Sequence, residues 1–224
     1  MLNPLFKNSF QDILVNNILV SGIRDDSIIK LFEEISRSDF LPYHLKTLGS
    51  CDGAIFFEEN KDSFIIDIST MAHILDVAKI KENHNSLVIS NSLGYSTALV
   101  AKLSAYTTSI FKNQDFLEIA KKKIEKLDIY NVDYLLANTS LANTKEDFYH
   151  SIILEGAFID LPKNIEDLII ADKKNYLVGV KHIDGLSYIC KVTKNKQGKL
   201  VEEYFSNLYA PLLFNINQNE KFIF

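Results

Sequence analysis

The first eighty residues carry apolar side chains at three- and four-residue steps, which is the spacing of an amphipathic helix. One such face consists of Phe10, Ile13, Leu14 and Ile18. A second follows a cap at Asp25 or Asp26 and consists of Ile28, Ile29, Leu31, Phe32 and Ile35. Short strands are predicted in the sequences GAIFFEE and SFII, and a further helix begins after Asp67 or Ser69. This segment therefore predicts helices with a small hairpin.

From Ser86 onward, the pattern changes to strands that alternate with single helices. The strands are SLVIS, YTTSIF, VDYLLA and HSIILEGA, and the helices are Tyr95–Leu103 and Asp115–Lys126. Nearly continuous apolar strands joined through helices are typical of a parallel sheet that is covered on both faces. The last predicted strands are NYLVGVKH, LSYICKVTK and LVEEYFSNLYA. The turns Asp184-Gly185 and Gln197-Gly198 join them, so we expect these strands to be antiparallel.

Together these patterns predict an α/β fold with a doubly wound, mostly parallel sheet. We expect an N-terminal cap of helices and a hairpin over residues 1–80, and a core with antiparallel C-terminal strands over residues 81–224. A length of 224 residues suits one large α/β core, so both parts are expected to form one compact domain.

Composition and charge exclude several classes of protein. The formal net charge of -5 argues against a general nucleic-acid binder, which normally carries a basic excess. The N-terminal residues do not resemble a signal peptide and no apolar run reaches membrane-spanning length, so we expect a cytoplasmic protein without a membrane partner. Cys51 and Cys190 are far apart and are expected to be buried free thiols, with no disulfide or zinc site. The five histidines show no metal or catalytic spacing and are expected to be structural.

The turn Ser90-Asn91-Ser92-Leu93-Gly94 follows the first strand of the predicted parallel sheet. In a doubly wound sheet, ligands bind beyond the carboxyl ends of the strands, so this turn is the first candidate for a binding loop. Gly94 suits either a helix-entry position or a close approach to a ligand, and the sequence leaves both roles open. Tyr95 is expected mainly as a core aromatic residue.

Several segments together resemble the protein-L-isoaspartate O-methyltransferases, which transfer a methyl group from S-adenosylmethionine to isoaspartyl carboxylates in damaged proteins. VSGIRDDSIIKLFEEISRSDFLP resembles the opening segment of that family, with its Gly-Ile-x-Asp and Arg-x-x-Phe-x-Pro patterns. LVISNSLGYSTALVAKL is similar to the cofactor loop and the helix after it. FLEIAKKKIEKLDIYNV and SIILEGAFIDLP match the next helix and the fourth strand, and NLYAPLL resembles the end of a bacterial branch. The resemblance spans nearly the whole chain and implies a Rossmann-like methyltransferase core, S-adenosylmethionine as cofactor, and a protein or peptide acceptor.

The departures from the family fall where the resemblance places the chemistry. The family's Thr-Ile-Ser acceptor motif, strand-end acid, first two loop glycines, ribose-binding acid and adenine-side acid are all replaced. The corresponding residues, in the same order, are Phe64-Ile65-Ile66, Val88, Ser90, Ser92, Phe111 and Asn138. Of the loop glycines, Gly94 is kept, and Ser69 lies three residues after the acceptor motif.

These replacements are expected to weaken binding of the cofactor. Loss of the ribose carboxylate costs about 1.5–3 kcal/mol of binding free energy. A serine in place of a loop glycine costs about 1–2 kcal/mol if the backbone stays left-handed, and its β-carbon also crowds the ligand. A total of about 4 kcal/mol weakens binding on the order of 1,000-fold.

Three functions remain open, and the losses favour the first. The protein is an isoaspartyl methyltransferase by descent with weakened or lost activity, a non-catalytic protein-interaction or small-ligand module, or a methyltransferase with a rewired pocket and another acceptor. The candidate cofactor-binding residues are Gly94, Tyr95, Asn91 and Asn138, and no catalytic or metal-binding residue is predicted. Replacement hydrogen bonds are available from Asn91, Asn138, Asp115 or Glu155, although each is more simply read as a capping or turn residue.

Overall fold

Helices and a two-stranded hairpin form the N-terminal part of the protein. The computed structural model describes residues 16–59, 62–137, 149–171 and 174–214. Residues 16–20 are helical, and the predicted apolar positions Phe10, Ile13 and Leu14 lie outside the described residues. The elements that follow are helix α1 (Asp26–Glu34), two 3-10 helices (Arg37–Phe40 and Tyr43–Ser50), strands β1 (Ile55–Phe56) and β2 (Phe64–Ile65), and helix α2 (Ile68–Ala78). Strands β1 and β2 pair in antiparallel orientation.

A seven-stranded sheet forms the rest of the fold. Its elements in chain order are β3 (Asn85–Ile89), α3 (Tyr95–Leu103), β4 (Tyr106–Phe111), α4 (Gln114–Glu125), β5 (Val132–Leu136), β6 (Ser151–Phe158), α5 (Lys163–Glu166), β7 (Tyr176–Ile183), β8 (Leu186–Lys194) and β9 (Leu200–Tyr204). The strand order across the sheet is β5-β4-β3-β6-β7-β8-β9. Strands β3 to β7 are parallel, and β8 and β9 continue the sheet in antiparallel orientation. The predicted doubly wound, mostly parallel α/β sheet is confirmed.

Side-chain caps set the starts of three helices. The Asp25 carboxylate accepts a hydrogen bond from the Ser27 backbone N–H at 3.0 Å, and Asp67 accepts from the Thr70 N–H at 2.8 Å. Each cap satisfies a backbone donor that has no partner within the helix. Helix α4 begins at Gln114, one residue before the predicted start at Asp115, because Asn113 is its cap.

Strands β1 and β2 of the N-terminal hairpin, and the last strand β9, are shorter than predicted. Strand β9 ends at Tyr204, whereas the sequence pattern extended it to Ala210. The reason is a change of partner: beyond the strand, the Pro211 carbonyl accepts from the Ala157 N–H at 2.7 Å, and the Leu213 N–H donates to the Ala157 carbonyl at 2.8 Å. The chain therefore leaves the edge of the sheet and joins the end of β6.

The two cysteines differ from each other in exposure. Cys190 lies in β8 and is buried as predicted, and burial raises the pKa of its thiol to about 12. Cys51 is exposed, so the prediction of a buried thiol is wrong for this residue. Cys51 follows the second 3-10 helix, where the chain turns through exposed Asp52, and it contributes its backbone carbonyl rather than its side chain to the interior.

The hydrophobic core is shared by the N-terminal elements and the sheet. One cluster of buried side chains includes Phe32 and Met71 from the helices and Ile89 and Ile153 from the sheet. The division of the chain at residue 80 stays a prediction. Among the residues that the structure describes, no helix is long and apolar enough to cross a membrane.

Candidate cofactor site

The turn at residues 90–94 follows β3, where the strand order of the sheet reverses: β4 and β5 lie on one side of β3, and β6 lies on the other. Strand β3 pairs with β4 on one side and with β6 on the other, with Ile89 opposite both Ile110 and Leu154. The chain leaves the sheet after Ile89 and enters α3 at Tyr95. Such a switch point at the carboxyl ends of parallel strands is where doubly wound sheets bind their ligands.

Gly94 has a left-handed backbone, with φ 93° and ψ 18°, at the start of α3. A β-carbon at this position would lie 2.8 Å from the Ala120 Cβ and 3.2 Å from the Ile124 Cδ1. Both the backbone conformation and the close approach of α4 therefore require glycine. These two requirements account for Gly94 structurally, and its contact with a cofactor stays a prediction.

Ser90 and Ser92 turn their hydroxyl groups toward the loop itself. The Ser92 Oγ lies 3.4 Å from the Gly94 backbone nitrogen, and the Ser90 Oγ lies 3.5 Å from the Ser92 nitrogen. Backbone N–H groups of a loop before a helix are the groups that bind a phosphate or a carboxylate in many nucleotide sites. Two of these donors are here directed at the hydroxyls of the loop, through long and therefore weak hydrogen bonds.

Glu155 is fully buried beside this loop, with 0% of its surface exposed. It lies in β6, one residue beyond Leu154, which pairs with Ile89. Its Oε2 accepts a hydrogen bond from the Ser92 hydroxyl at 2.8 Å and a second, short one from the Ser96 hydroxyl. We call Ser90, Ser92, Ser96 and Glu155 the serine–glutamate network. The interpretation of Glu155 as a capping or turn residue is therefore wrong, because it lies inside a strand and binds the loop.

Burial controls the protonation of Glu155. Desolvation raises the pKa of its carboxyl group from 4.5 to about 7, while hydrogen bonds from Ser96 and Ser92, the Ile66 backbone and the charge of Arg37 oppose the rise. Its second oxygen, Oε1, has no hydrogen-bond partner among the described residues. The site thus contains a buried acid whose charge changes near neutral pH.

Arg37 is the nearest buried cation, and it is engaged by backbone carbonyls. Its Nη1 donates to the Cys51 carbonyl at 3.0 Å, and its Nη2 donates to the carbonyls of Gly53 at 2.8 Å and Ile65 at 3.3 Å. Desolvation lowers the pKa of the guanidinium group. Its side chain therefore links the first 3-10 helix to the segment after the second 3-10 helix and to β2, and it forms no direct ion pair with Glu155 among the described residues.

Tyr95 belongs to the aromatic core, as expected. It is 1% exposed, and its ring lies 6.3 Å from that of Phe32 and 5.6 Å from that of Phe40. Burial raises the pKa of its hydroxyl group. These contacts with the N-terminal elements hold the start of α3, and a direct role in cofactor binding is untested.

Asn91 is the third described candidate for the cofactor. It is 8% exposed, and its backbone carbonyl accepts a hydrogen bond from the Phe64 N–H at 3.2 Å. This bond places the loop next to β2, which carries the position of the family's acceptor motif. The fourth candidate, Asn138, lies outside the described residues, and Asp115 is exposed in the first turn of α4.

Hydrophobic side chains occupy the remaining family positions. Phe111, at the ribose-acid position, is 0% exposed and stacks on Tyr134 with ring centroids 6.1 Å apart. Phe64, Ile65 and Ile66 of the acceptor-motif position are also buried. No group of three or more His, Cys, Asp or Glu residues in the described ranges could hold a metal ion.

Two contributors to the site, Ser96 and Arg37, were not among the predicted residues. One signal was available for the network: Glu155 is an acid in an otherwise apolar segment that predicts a strand buried on both faces. A carboxylate in such a strand requires polar partners. The spacing of the sequence alone does not identify those partners, because they lie 59 and 63 residues away.

A doubly wound sheet with a loop and helix at its switch point is the architecture of a nucleotide-cofactor protein, and here it defines a Rossmann-like methyltransferase fold. The chain matches the model of the protein-L-isoaspartate(D-aspartate) O-methyltransferase family over residues 8–215, and it belongs to that family. This finding confirms the resemblance inferred from the sequence segments.

Named members of the family are similar over most of their length. The protein-L-isoaspartate O-methyltransferase of Aliivibrio fischeri is 25% identical over 207 residues, covering 92% of this chain and 95% of the relative. That of Petrotoga mobilis is 25% identical over 198 residues, covering 86% and 89%.

Solved structures agree with the sheet topology. A Plasmodium falciparum structure named for protein-L-isoaspartate O-methyltransferase, solved with S-adenosyl-L-homocysteine, has a TM-score of 0.70 at 16% identity and covers 90% of this chain and 96% of its own. A second structure with the same enzyme name has a TM-score of 0.70 at 19% identity, covering 92% of this chain and 66% of its own. At these identities the likeness establishes the fold.

Proposed function

We propose that this family member binds S-adenosylmethionine weakly or not at all. It has therefore lost most or all of its isoaspartyl methyltransferase activity. The observation that carries the proposal is the inward-facing loop at residues 90–94. Its serine hydroxyls bind their own backbone and Glu155, in place of the open glycine loop implied by the family pattern. The acceptor class is that of the family, an isoaspartyl carboxylate in a damaged protein.

The ribose position supports the same proposal. A carboxylate there would accept hydrogen bonds from the two ribose hydroxyls, whereas the buried ring of Phe111 accepts none. The ring is also held by its stacking on Tyr134, so it forms part of the core. The residues at this position therefore do not fit the ribose of the cofactor.

The residual contacts of this weakened site are proposed to come from Gly94, Tyr95, Asn91 and Asn138. Asn91 lies between the two serines of the loop, Gly94 ends the loop, and Tyr95 begins the helix after it. Their backbone N–H groups and the start of α3 offer a weak site for the carboxylate end of a ligand. Such contacts do not replace the lost ribose acid.

A methyltransferase with a rewired pocket is the second candidate. The observation that favours it is the Oε1 oxygen of Glu155, which is a hydrogen-bond acceptor without a partner among the described residues. An acid beside the switch point could serve a ligand that the family pattern does not describe. This candidate requires S-adenosylmethionine to bind tightly, with a micromolar dissociation constant.

Calorimetric titration with S-adenosylmethionine separates the two candidates. Weakened binding predicts a dissociation constant in the high-micromolar to millimolar range, or no measurable heat. Micromolar binding would contradict the proposal and favour the rewired pocket. A parallel assay of radiolabelled methyl transfer to an isoaspartyl peptide is expected to give little or no product.

A further inference from the structure

Ser92, in the loop after β3, and Glu155, inside the neighbouring strand β6, form a buried pair. The Ser92 hydroxyl donates to Glu155 Oε2 at 2.8 Å, and both residues are 0% exposed. Ser92 stands at a position where the family resemblance places a glycine. The replacement of glycine therefore coincides with a specific partner for the new hydroxyl.

Glu155 depends on the loop and on α3 for its side-chain hydrogen bonds. Both side-chain donors to its carboxyl group are serines, Ser92 and Ser96, and both bind Oε2. The other ionisable groups that act on this region are Arg37 and Tyr95, with Asp67 and Cys51 acting on Arg37. Arg37 directs its Nη atoms to backbone carbonyls, so it does not replace the serines. A buried carboxyl group that loses such donors is strongly destabilising.

We propose that Glu155 is a positioning residue that holds the loop at residues 90–94 in its inward-facing form through Ser92 and Ser96, and thereby determines the poor fit of the cofactor. This inference rests on the proposed function, because it explains which side chain keeps the loop inward. The serine and the glutamate then act as one unit. Restoring the glycine at position 92 alone leaves the acid in place with fewer partners.

A double-mutant cycle tests this coupling directly. The proteins are the wild type, Ser92→Gly, Glu155→Val and the double variant; valine suits a buried strand position. Ser92→Gly alone is expected to lower stability and to change the affinity for S-adenosyl-L-homocysteine by less than about twofold. The double variant is expected to bind at least about tenfold more tightly than the wild type, since loop and strand are then released together.

Two outcomes of the cycle would overturn the inference. One is a full gain of affinity from Ser92→Gly alone, which would mean that Glu155 and its remaining donor, Ser96, add nothing to the hold on the loop. The other is a double variant that is folded by circular dichroism but shows no gain. Glu155→Gln is the matched control: it keeps the shape and an acceptor oxygen for the serines, so it is expected to retain the weak affinity of the wild type.

A measurement on the carboxyl group keeps the test informative even where Glu155→Val does not fold. The Ser96→Ala variant removes one donor to Oε2, and it is expected to raise the pKa of Glu155, as followed by carbon-13 NMR of the labelled carboxyl group. The sign follows from the hydrogen bond, which favours the charged form. An unchanged pKa would show that the serines do not hold the acid.

Failure of this inference and failure of the proposed function give different results. Micromolar binding of S-adenosylmethionine by the wild type would overturn the proposed function. The coupling between Ser92 and Glu155 is still read from urea unfolding of the four proteins, without any ligand. Additive losses of stability in that cycle would overturn the inference while leaving the proposed function standing.

Discussion

Glu155 shows how one buried side chain affects both stability and binding. Its carboxyl group has no exposed surface, so its charged form is disfavoured unless neighbouring groups donate hydrogen bonds. One donor, Ser92, belongs to the loop at residues 90–94, and the other, Ser96, belongs to helix α3. Glu155 thus links its strand to both elements.

The titration of Glu155 predicts a pH dependence of stability. Its pKa is about 7 in the folded protein against 4.5 ordinarily, so between these pH values the folded protein keeps a proton that the unfolded chain has lost. The stabilisation is complete below about pH 4.5 and is lost as the pH rises through about 7.

The Glu155→Gln variant has no titrating group at this position. The difference in stability between this variant and the wild type therefore measures the contribution of the Glu155 titration. Urea unfolding of both proteins from pH 4 to 8 is expected to show the variant gaining up to about 3 kcal/mol on the wild type as the pH rises. A constant difference across this range would show that Glu155 does not titrate with a raised pKa.

Gly94 predicts a second single-residue effect. Alanine at this position meets a left-handed backbone, which costs about 1–2 kcal/mol, and a Cβ contact of 2.8 Å with Ala120, where overpacking adds about 1–3 kcal/mol. The matched control is Gly198→Ala, where φ is 75° and no atom lies within 4 Å of the added Cβ, so only the first cost applies. Equal losses in urea unfolding would show that the contact between α3 and α4 does not require glycine.

Prediction from the sequence was least complete for the contacts of individual side chains. Gly94 was identified as a glycine of the turn because its position next to an apolar strand and a helix is local information. The partners of Glu155 and the carbonyl ligands of Arg37 depend on contacts between distant segments. A single sequence carries no local pattern that specifies them.

At the scale of elements, the end of β4 belongs to the core rather than to a binding cleft. Phe111 is fully buried and packs on Tyr134 of β5. The Phe111→Leu variant is expected to lose about 1–2 kcal/mol, whereas Phe111→Asp is expected to lose at least about 3 kcal/mol because it also buries a carboxylate. Urea unfolding compares them; similar losses would show that this strand end is open to solvent.

The longer buried strands and helices were predicted well, and short elements were not. Strand β4 and helix α3 match their predicted bounds, because each is a nearly continuous buried segment next to a polar turn. Strand β1 covers two residues where seven were predicted, and β9 stops where the chain changes partner. The limit of β9 arises from tertiary hydrogen bonds with Ala157, which the local pattern does not contain.

At the scale of the whole molecule, the family fold is preserved, and we propose that the chemistry of its switch point has changed. The sheet order and the core depend on many apolar contacts, so they tolerate replacement of a few polar residues. Binding of a cofactor depends on a few hydrogen bonds, so we expect the same replacements to alter it by orders of magnitude. This difference explains why relatives near 25% identity share the fold.

Thermal unfolding with and without S-adenosylmethionine tests this separation on the intact protein. A ligand at 1 mM with a dissociation constant of about 1 mM stabilises by about 0.4 kcal/mol, which shifts Tm by about 1–2 °C for a protein of this size. A dissociation constant of about 1 μM would give about 4 kcal/mol and a shift of about 8–16 °C. We expect the wild type to show the small shift and the Ser92→Gly, Glu155→Val double variant to show a larger one. A large shift in the wild type would mean that the switch point still binds the cofactor tightly, which would contradict the proposed weakening and favour the rewired pocket.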